Sequence, residues 1–190
     1  MSASLLTLRP ARPAADHRGA LAVTRRADWR FLLPDPALGR VAYLAPHDPE
    51  LVAALSALGA ELELLDAPRA AKRHDLVAIT RGRPRTARAA HGLLRRGGWL
   101  YAEVPGWSVP AWMRALAASG FEEVGAHWLW PDARSCREIV PLEREPLRHA
   151  LGRRDPGGRL RLRARAAQLL AASGIFTLAV RRAAVIGRRS

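Results

Sequence analysis

The chain of 190 residues holds one cysteine, one lysine and no long apolar run. With Cys136 alone, an intrachain disulfide and any multi-cysteine metal site are excluded, and a reducing, cytoplasmic setting is expected. No stretch reaches the ~18 apolar residues that a membrane helix requires. The opening MSASLLTLRPARPAADHRG has no sustained apolar core and reads as a poor signal peptide. The six histidines (His17, His47, His74, His91, His127, His149) form no i, i+4 pair and no H-x-H, so a metal site has no support. A phosphate-binding loop and a G-x-S-x-G motif are also absent.

What is present describes a folded domain. Hydrophobic residues make up 49% and charged residues 25%, close to the globular average, so wholesale disorder is excluded. The net charge is +14, yet Lys72 is the only lysine among 31 basic residues. Together with abundant Ala, Gly, Pro and Leu, that imbalance points to a GC-rich genome, since phosphate contacts do not disfavour lysine. Ten arginines lie between Arg153 and Arg189, so nucleic-acid binding through this Arg-rich tail stays open as an alternative.

Residues 1–20 lack periodicity and are expected to form a flexible arm; residues 21–190 are expected to form one domain. RVAYLA (Arg40 to Ala45) is a continuous apolar run, the mark of a strand buried on both faces. Asp48-Pro49 then opens a helix as N-cap and first helical residue, and Gly59 closes it. ELELLD (61–66) and DLVAIT (75–80) read as strands, and Thr86 to Arg96 as a helix stopped by Gly97-Gly98. WLYAEV (99–104) is a further strand, 109–119 a helix, 121–130 and 137–141 strands, 160–172 a helix and 176–188 an extended segment. Such alternation predicts an α/β fold, a mostly parallel sheet flanked by helices.

In order and spacing, DWRFLLPDPALGRVAYLA, ELELLD, HDLVAIT, LLRRGGWLYAEVPG and GFEEVGAHWLWP resemble the class I S-adenosylmethionine-dependent methyltransferases. The resemblance covers about Asp28 to Arg189 and implies a Rossmann-like methyltransferase-type sheet. It also implies that the acidic residue ending the second strand, Asp66, is the cofactor's ribose contact, with His47 beside the turn.

Two departures from the family pattern bear on function. The family's first strand carries an acidic residue and a glycine-rich turn, through which the backbone approaches the cofactor. Here Tyr43 stands at the acidic position, and Ala45, His47 and Pro49 replace the glycines. Asp66 and Asp75 are also only nine residues apart, too few for a helix plus a strand. The sheet is therefore expected to lack about one strand and helix after the second strand. That would expose the second strand as a pairing edge through which a dimer could form.

These departures predict a degenerate, truncated methyltransferase-like protein that uses no cofactor and binds a peptide or protein partner, in a bacterial biosynthetic setting. Trp107, Trp112, Trp128 and Trp130, with Glu103, Arg134 and Arg137 on the margin, are the expected partner-binding groove; the same tryptophans as core residues is the other reading. An active enzyme that binds S-adenosylmethionine at an atypical site is the alternative. Its cofactor contacts would be Asp66 and His47. Each of these has a plainer role open to it: Asp66 as a turn residue, His47 as a loop histidine held by its neighbour.

Overall fold

Val41, Ala42, Tyr43 and Leu44 form the inner part of a strand buried on both sides, as their unbroken apolar run requires. In the computed structural model, which describes residues 23–68, 73–134, 136–152 and 176–190, this is β1 (Arg40–Leu44). It is followed by α1 (Pro49–Ala57), β2 (Glu61–Leu65), β3 (His74–Thr80), α2 (Thr86–Leu93), β4 (Leu94–Val104), α3 (Val109–Ala118), β5 (Phe121–Trp130), β6 (Glu138–Pro141), α4 (Arg144–Gly152) and β7 (Ala183–Arg189). Short 3-10 helices span Arg25–Leu32, Gly106–Ser108 and Phe176–Leu178.

The strands form one seven-stranded sheet in the order β2-β1-β3-β4-β7-β5-β6. β1 pairs in parallel with β2 and β3, and β3 with β4; β7 runs antiparallel between β4 and β5, and β6 antiparallel to β5. Five strands therefore share one direction and two oppose it. Alternation sends Tyr43, Ala78, Tyr101, Leu129 and Ile186 to one face, under the 3-10 helix Arg25–Leu32 and α1. Leu44, Val77, Leu100, Val104 and Val185 face the other way, against residues of α2, α3 and α4.

The short connection after the second strand is as expected: residues 66–73 link β2 to β3, and β2 lies at the edge of the sheet. Three details differ from the sequence reading. α2 ends at Leu93 and β4 starts at Leu94, so Gly97 and Gly98 lie inside a strand rather than beyond a helix. The register with β3 shifts there, between His74 and Leu76. Gly97 takes a φ of 73°, which glycine allows. The segment 144–152, with no helix assigned from sequence, is α4. The expected extended segment 176–188 begins as a 3-10 turn and pairs only from Ala183.

The expected arm 1–20 and helix 160–172 lie outside the described residues. Among the described residues, no helix is long and apolar enough to cross a membrane. In the Arg-rich tail, Arg188 pairs with Glu123 at 2.6 Å, and Arg189 donates to the carbonyls of His91 and Leu94. These two arginines therefore fasten β7 to its neighbours.

Candidate functional site at the strand ends

In an open α/β sheet the ligand crevice lies beyond the carboxyl ends of the strands, where the strand order reverses. Here the chain steps outward from β1 to β2 and then crosses back to β3, so the reversal falls between β1 and β3. Tyr43 near the end of β1 and Thr80 at the end of β3 meet at that point, 2.8 Å apart, both buried.

The turn after β1 is tied down by side chains. The backbone N–H of Asp48 donates to the Tyr43 hydroxyl at 2.7 Å, and the Thr80 hydroxyl donates to the Pro46 carbonyl at 2.8 Å. Since Thr80 spends its proton on Pro46, the Tyr43 hydroxyl donates to Thr80. One directed chain thus runs from Asp48 through Tyr43 and Thr80 to Pro46. Burial, the main cause, raises the Tyr43 phenol above its ordinary value. His47 lies edge-on to Tyr43, and its Nε2 donates to the Tyr43 carbonyl at 3.0 Å. The Asp48 side chain accepts from Glu50 N–H at 3.1 Å, the N-cap expected from Asp48-Pro49.

A buried ion cluster fills the adjoining space. Arg26, only 3% exposed, sends Nη1 and Nη2 to the two oxygens of Glu103 at 2.5 and 2.8 Å. Nη2 also reaches Asp48 at 2.9 Å, and Nη1 the Ala133 carbonyl at 3.4 Å. The Tyr101 hydroxyl donates to Glu103 at 2.7 Å, and the Tyr101 ring stacks on Trp29 with centroids 3.7 Å apart. Burial opposes the charge on Asp48, but the Arg26 guanidinium outweighs it and holds that carboxyl below its ordinary range. Just past β3, Arg81 takes a left-handed φ of 58°, a conformation that costs a non-glycine residue about 1 kcal/mol or more.

The residues expected to line one groove divide among the surface, one core cluster and the opposite face of the sheet. Trp107 is 70% exposed, whereas Trp112 is fully buried among the residues facing α2 and α3, a core tryptophan that no partner can touch. Trp128 packs edge-on to Phe176 at 5.4 Å on that same face, and alternation places Trp130 with it. Glu103 belongs to the opposite face, held by Arg26. Arg134 pairs with Glu50 at 3.0 Å. Arg137 lines an open cleft of about 470 Å³ with Arg25, Asp28 and Cys136. Burial raises the Cys136 thiol, so it is no activated nucleophile. Asp66 is exposed, directly past the end of β2. Among the described residues, no group of three His, Cys, Asp or Glu side chains is placed to hold a metal.

Sequence reasoning missed Arg26, Thr80 and Tyr101. Arg26 is one of thirty arginines and lies in no motif, so composition hid it. The alternation of Tyr101 with Glu103 in WLYAEV was the one signal that these two side chains share a face.

No family model matches the chain, and no curated protein does either. Solved structures do resemble it. A methyltransferase from Archaeoglobus fulgidus has 12% identity over 86% of this chain and 92% of its own, with a TM-score of 0.49. One from Thermotoga maritima has 12% identity over 92% and 91%, with a TM-score of 0.46. A third, from Thiobacillus denitrificans, has 12% identity over 86% and 89%, with a TM-score of 0.40, and was solved with S-adenosyl-L-homocysteine. All three are S-adenosylmethionine-dependent methyltransferases. The expectation that the chain uses no cofactor is corrected here: structures of this fold include one holding the cofactor's product, and loss of the turn glycines was too narrow a ground. With its strand order, its reversal point and its inserted antiparallel β7, the chain has a class I methyltransferase-like fold.

Proposed function

We propose that the chain binds S-adenosylmethionine across the carboxyl ends of β1 and β2 and acts as a methyltransferase with an atypical cofactor site. The observation that carries this reading is the reversal of strand order between β1 and β3, with acidic side chains past the ends of β1 and β2 and at the end of the β4 ladder: Asp48, Asp66 and Glu103. The fit is uneven along the crevice. At β2 the exposed Asp66 carboxylate suits a ribose hydroxyl, which it would accept as a hydrogen bond. At β1 the turn offers few donors: Pro46 and Pro49 have no N–H, Ala45 N–H is bound to Leu65 and Asp48 N–H to Tyr43. The carboxylates of Glu103 and Asp48 complement positive charge, the property of a sulfonium.

When bound, S-adenosylmethionine supplies a methyl carbon activated by its sulfonium. The chain's own residues orient and hold. Asp66 fixes the ribose, Tyr43 and Thr80 lock the turn, and Glu103 supplies negative charge at the β4 end. Calorimetric titration tests the reading. Wild type is expected to bind S-adenosylmethionine in the micromolar range, and Asp66→Asn to bind roughly tenfold more weakly, a difference of about 1.4 kcal/mol. No detectable heat with either the wild-type protein or Arg26→Met would remove the reading.

A second reading, partner binding, draws on Trp107. This tryptophan and Leu178, 65% exposed, project from two 3-10 helices that pack directly on each other around Gly106. Exposed aromatic side chains of this kind serve as anchors for protein partners. Trp107→Ala is expected to abolish capture of a partner while leaving cofactor affinity unchanged; equal capture by the variant would count against it.

A further inference from the structure

Arg26 differs from the rest of the ion cluster in where it comes from. Glu103 and Tyr101 belong to β4, Asp48 to the turn after β1 and Ala133 to the loop after β5, all at the carboxyl edge of the sheet. Arg26 alone comes from the 3-10 helix Arg25–Leu32, which lies across that edge and has no strand of its own. Four oxygen acceptors converge on its guanidinium, two from Glu103, one from Asp48 and one from Ala133. Two carboxylates thus face this one buried cation in a site nearly closed to water, with Arg134 acting on Asp48 from the rim.

The segment that fills the hollow fits it incompletely. Among the described residues five buried side-chain nitrogens have no hydrogen-bond partner, and two of them, Arg26 Nε and Trp29 Nε1, belong to this one 3-10 helix. A buried donor left unpaired costs roughly 1–3 kcal/mol, a penalty that opening the segment to water would relieve. The helix is also kinked: Ala27 departs from helical geometry, with φ −116° and ψ 22°. The strand ends make a complete acceptor set, whereas the occupant is imperfectly seated and imported from outside the sheet.

We propose that the 3-10 helix Arg25–Leu32 is an autoinhibitory plug, in which Arg26 stands in for the positively charged group of the ligand and must leave before that group can reach Glu103 and Asp48. The inference rests on the reading that the strand ends receive S-adenosylmethionine, and it adds how entry is regulated. Affinity then falls by the fraction of molecules in which the plug is open.

The test compares wild type with Arg26→Met, which keeps the packing of the stem and removes the cation. Two probes are used: methylguanidinium, a copy of the displaced group, and S-adenosylmethionine. Methylguanidinium at ten times its dissociation constant is expected to raise the unfolding midpoint of Arg26→Met by roughly 3–6 °C. It should leave wild type unmoved and fail to rescue Arg26→Met/Glu103→Gln. S-Adenosylmethionine is expected to bind Arg26→Met at least about tenfold more tightly than wild type, with a smaller gain for S-adenosylhomocysteine, which lacks the sulfonium charge. Equal cofactor affinity in wild type and Arg26→Met overturns the plug while leaving the cofactor reading intact. Rescue by methylguanidinium with no cofactor binding to either protein overturns the cofactor reading and shows a cation hollow of another use. Where Arg26→Met fails to fold, Arg26→Lys, which keeps the charge but loses the bidentate fork, replaces it, with the same expected direction and a smaller gain.

Discussion

Tyr43 shows how one side chain holds a turn that contains no glycine. Its hydroxyl accepts from Asp48 N–H and donates to Thr80, and Thr80 in turn caps the Pro46 carbonyl. The turn after β1 is thereby held by three hydrogen bonds. Tyr43→Phe removes the hydroxyl and leaves a partly buried N–H with no acceptor. The expected loss of stability is about 1–3 kcal/mol, read from urea unfolding at unchanged slope. Thr80→Val alone should cost a similar amount, and the double variant less than the sum, because the two hydroxyls share one bond. At this scale the sequence showed what the turn lacks: Ala45, His47 and Pro49 in place of glycine are visible at once. It could not show what holds the turn, because the partner Thr80 is 37 residues away and belongs to another strand.

The elements were legible where periodicity and punctuation agree. β1, β2, β3, α1, α3 and β5 lie within one or two residues of where the apolar runs and their Gly or Pro stops put them. The Gly97-Gly98 pair misled because glycine is ambiguous: it ends helices, and it also permits a shift of register inside a strand. Gly98 is needed for the second reason, since a Cβ there would come within 3.0 Å of the His74 and Arg95 carbonyls. Gly106 is more tightly constrained still. A Cβ there would stand 2.1 Å from the Val180 carbonyl oxygen and 2.2 Å from that of Thr177, so two 3-10 helices can meet only around a glycine. The grouping of the tryptophans failed for a different reason. Alternation sends Trp128 and Trp130 to one face, where Trp128 packs, but nothing in the sequence says that a helix, through Trp112, closes over that face. The plugging helix was invisible too, as its arginine had no motif to mark it.

For the molecule as a whole, several partly buried ionisable groups should make stability fall as the pH is lowered. Burial lowers His127 from 6.5 to about 4, and burial together with Arg189 lowers His91. A histidine kept neutral in the folded state stabilises fully above its unfolded pKa of 6.5. As pH falls below that value the unfolded chain takes up the proton first, so stability is lost between about 6.5 and 4. Burial works against the charge on Asp48 and Asp75, but their arginine and backbone partners outweigh it and depress both pKa values. Their contribution is present above the ordinary 3.8 and is lost as pH falls through the folded values. Asp28, raised mainly by burial, runs the other way and offsets a little of the loss. Unfolding free energy is therefore expected to decline from pH 7 towards pH 4, with a slope approaching about 1.4 kcal/mol per pH unit from His127. His127→Asn should flatten that slope. A wild-type curve level from pH 7.5 to 4.5 would contradict the account.

The position of β7 carries one more consequence, for synthesis. β7 is made after β5 and β6 yet lies between β4 and β5 in the finished sheet. While the ribosome builds the stretch from Trp130 to Ala183, for roughly 3–10 s, β4 and β5 each present an unsatisfied ladder edge. The nascent chain must pass that interval with its two half-sheets apart, each able to recruit a strand from another chain. Chaperone dependence during translation should end abruptly once Ala183–Arg189 clears the exit tunnel and zips the halves together.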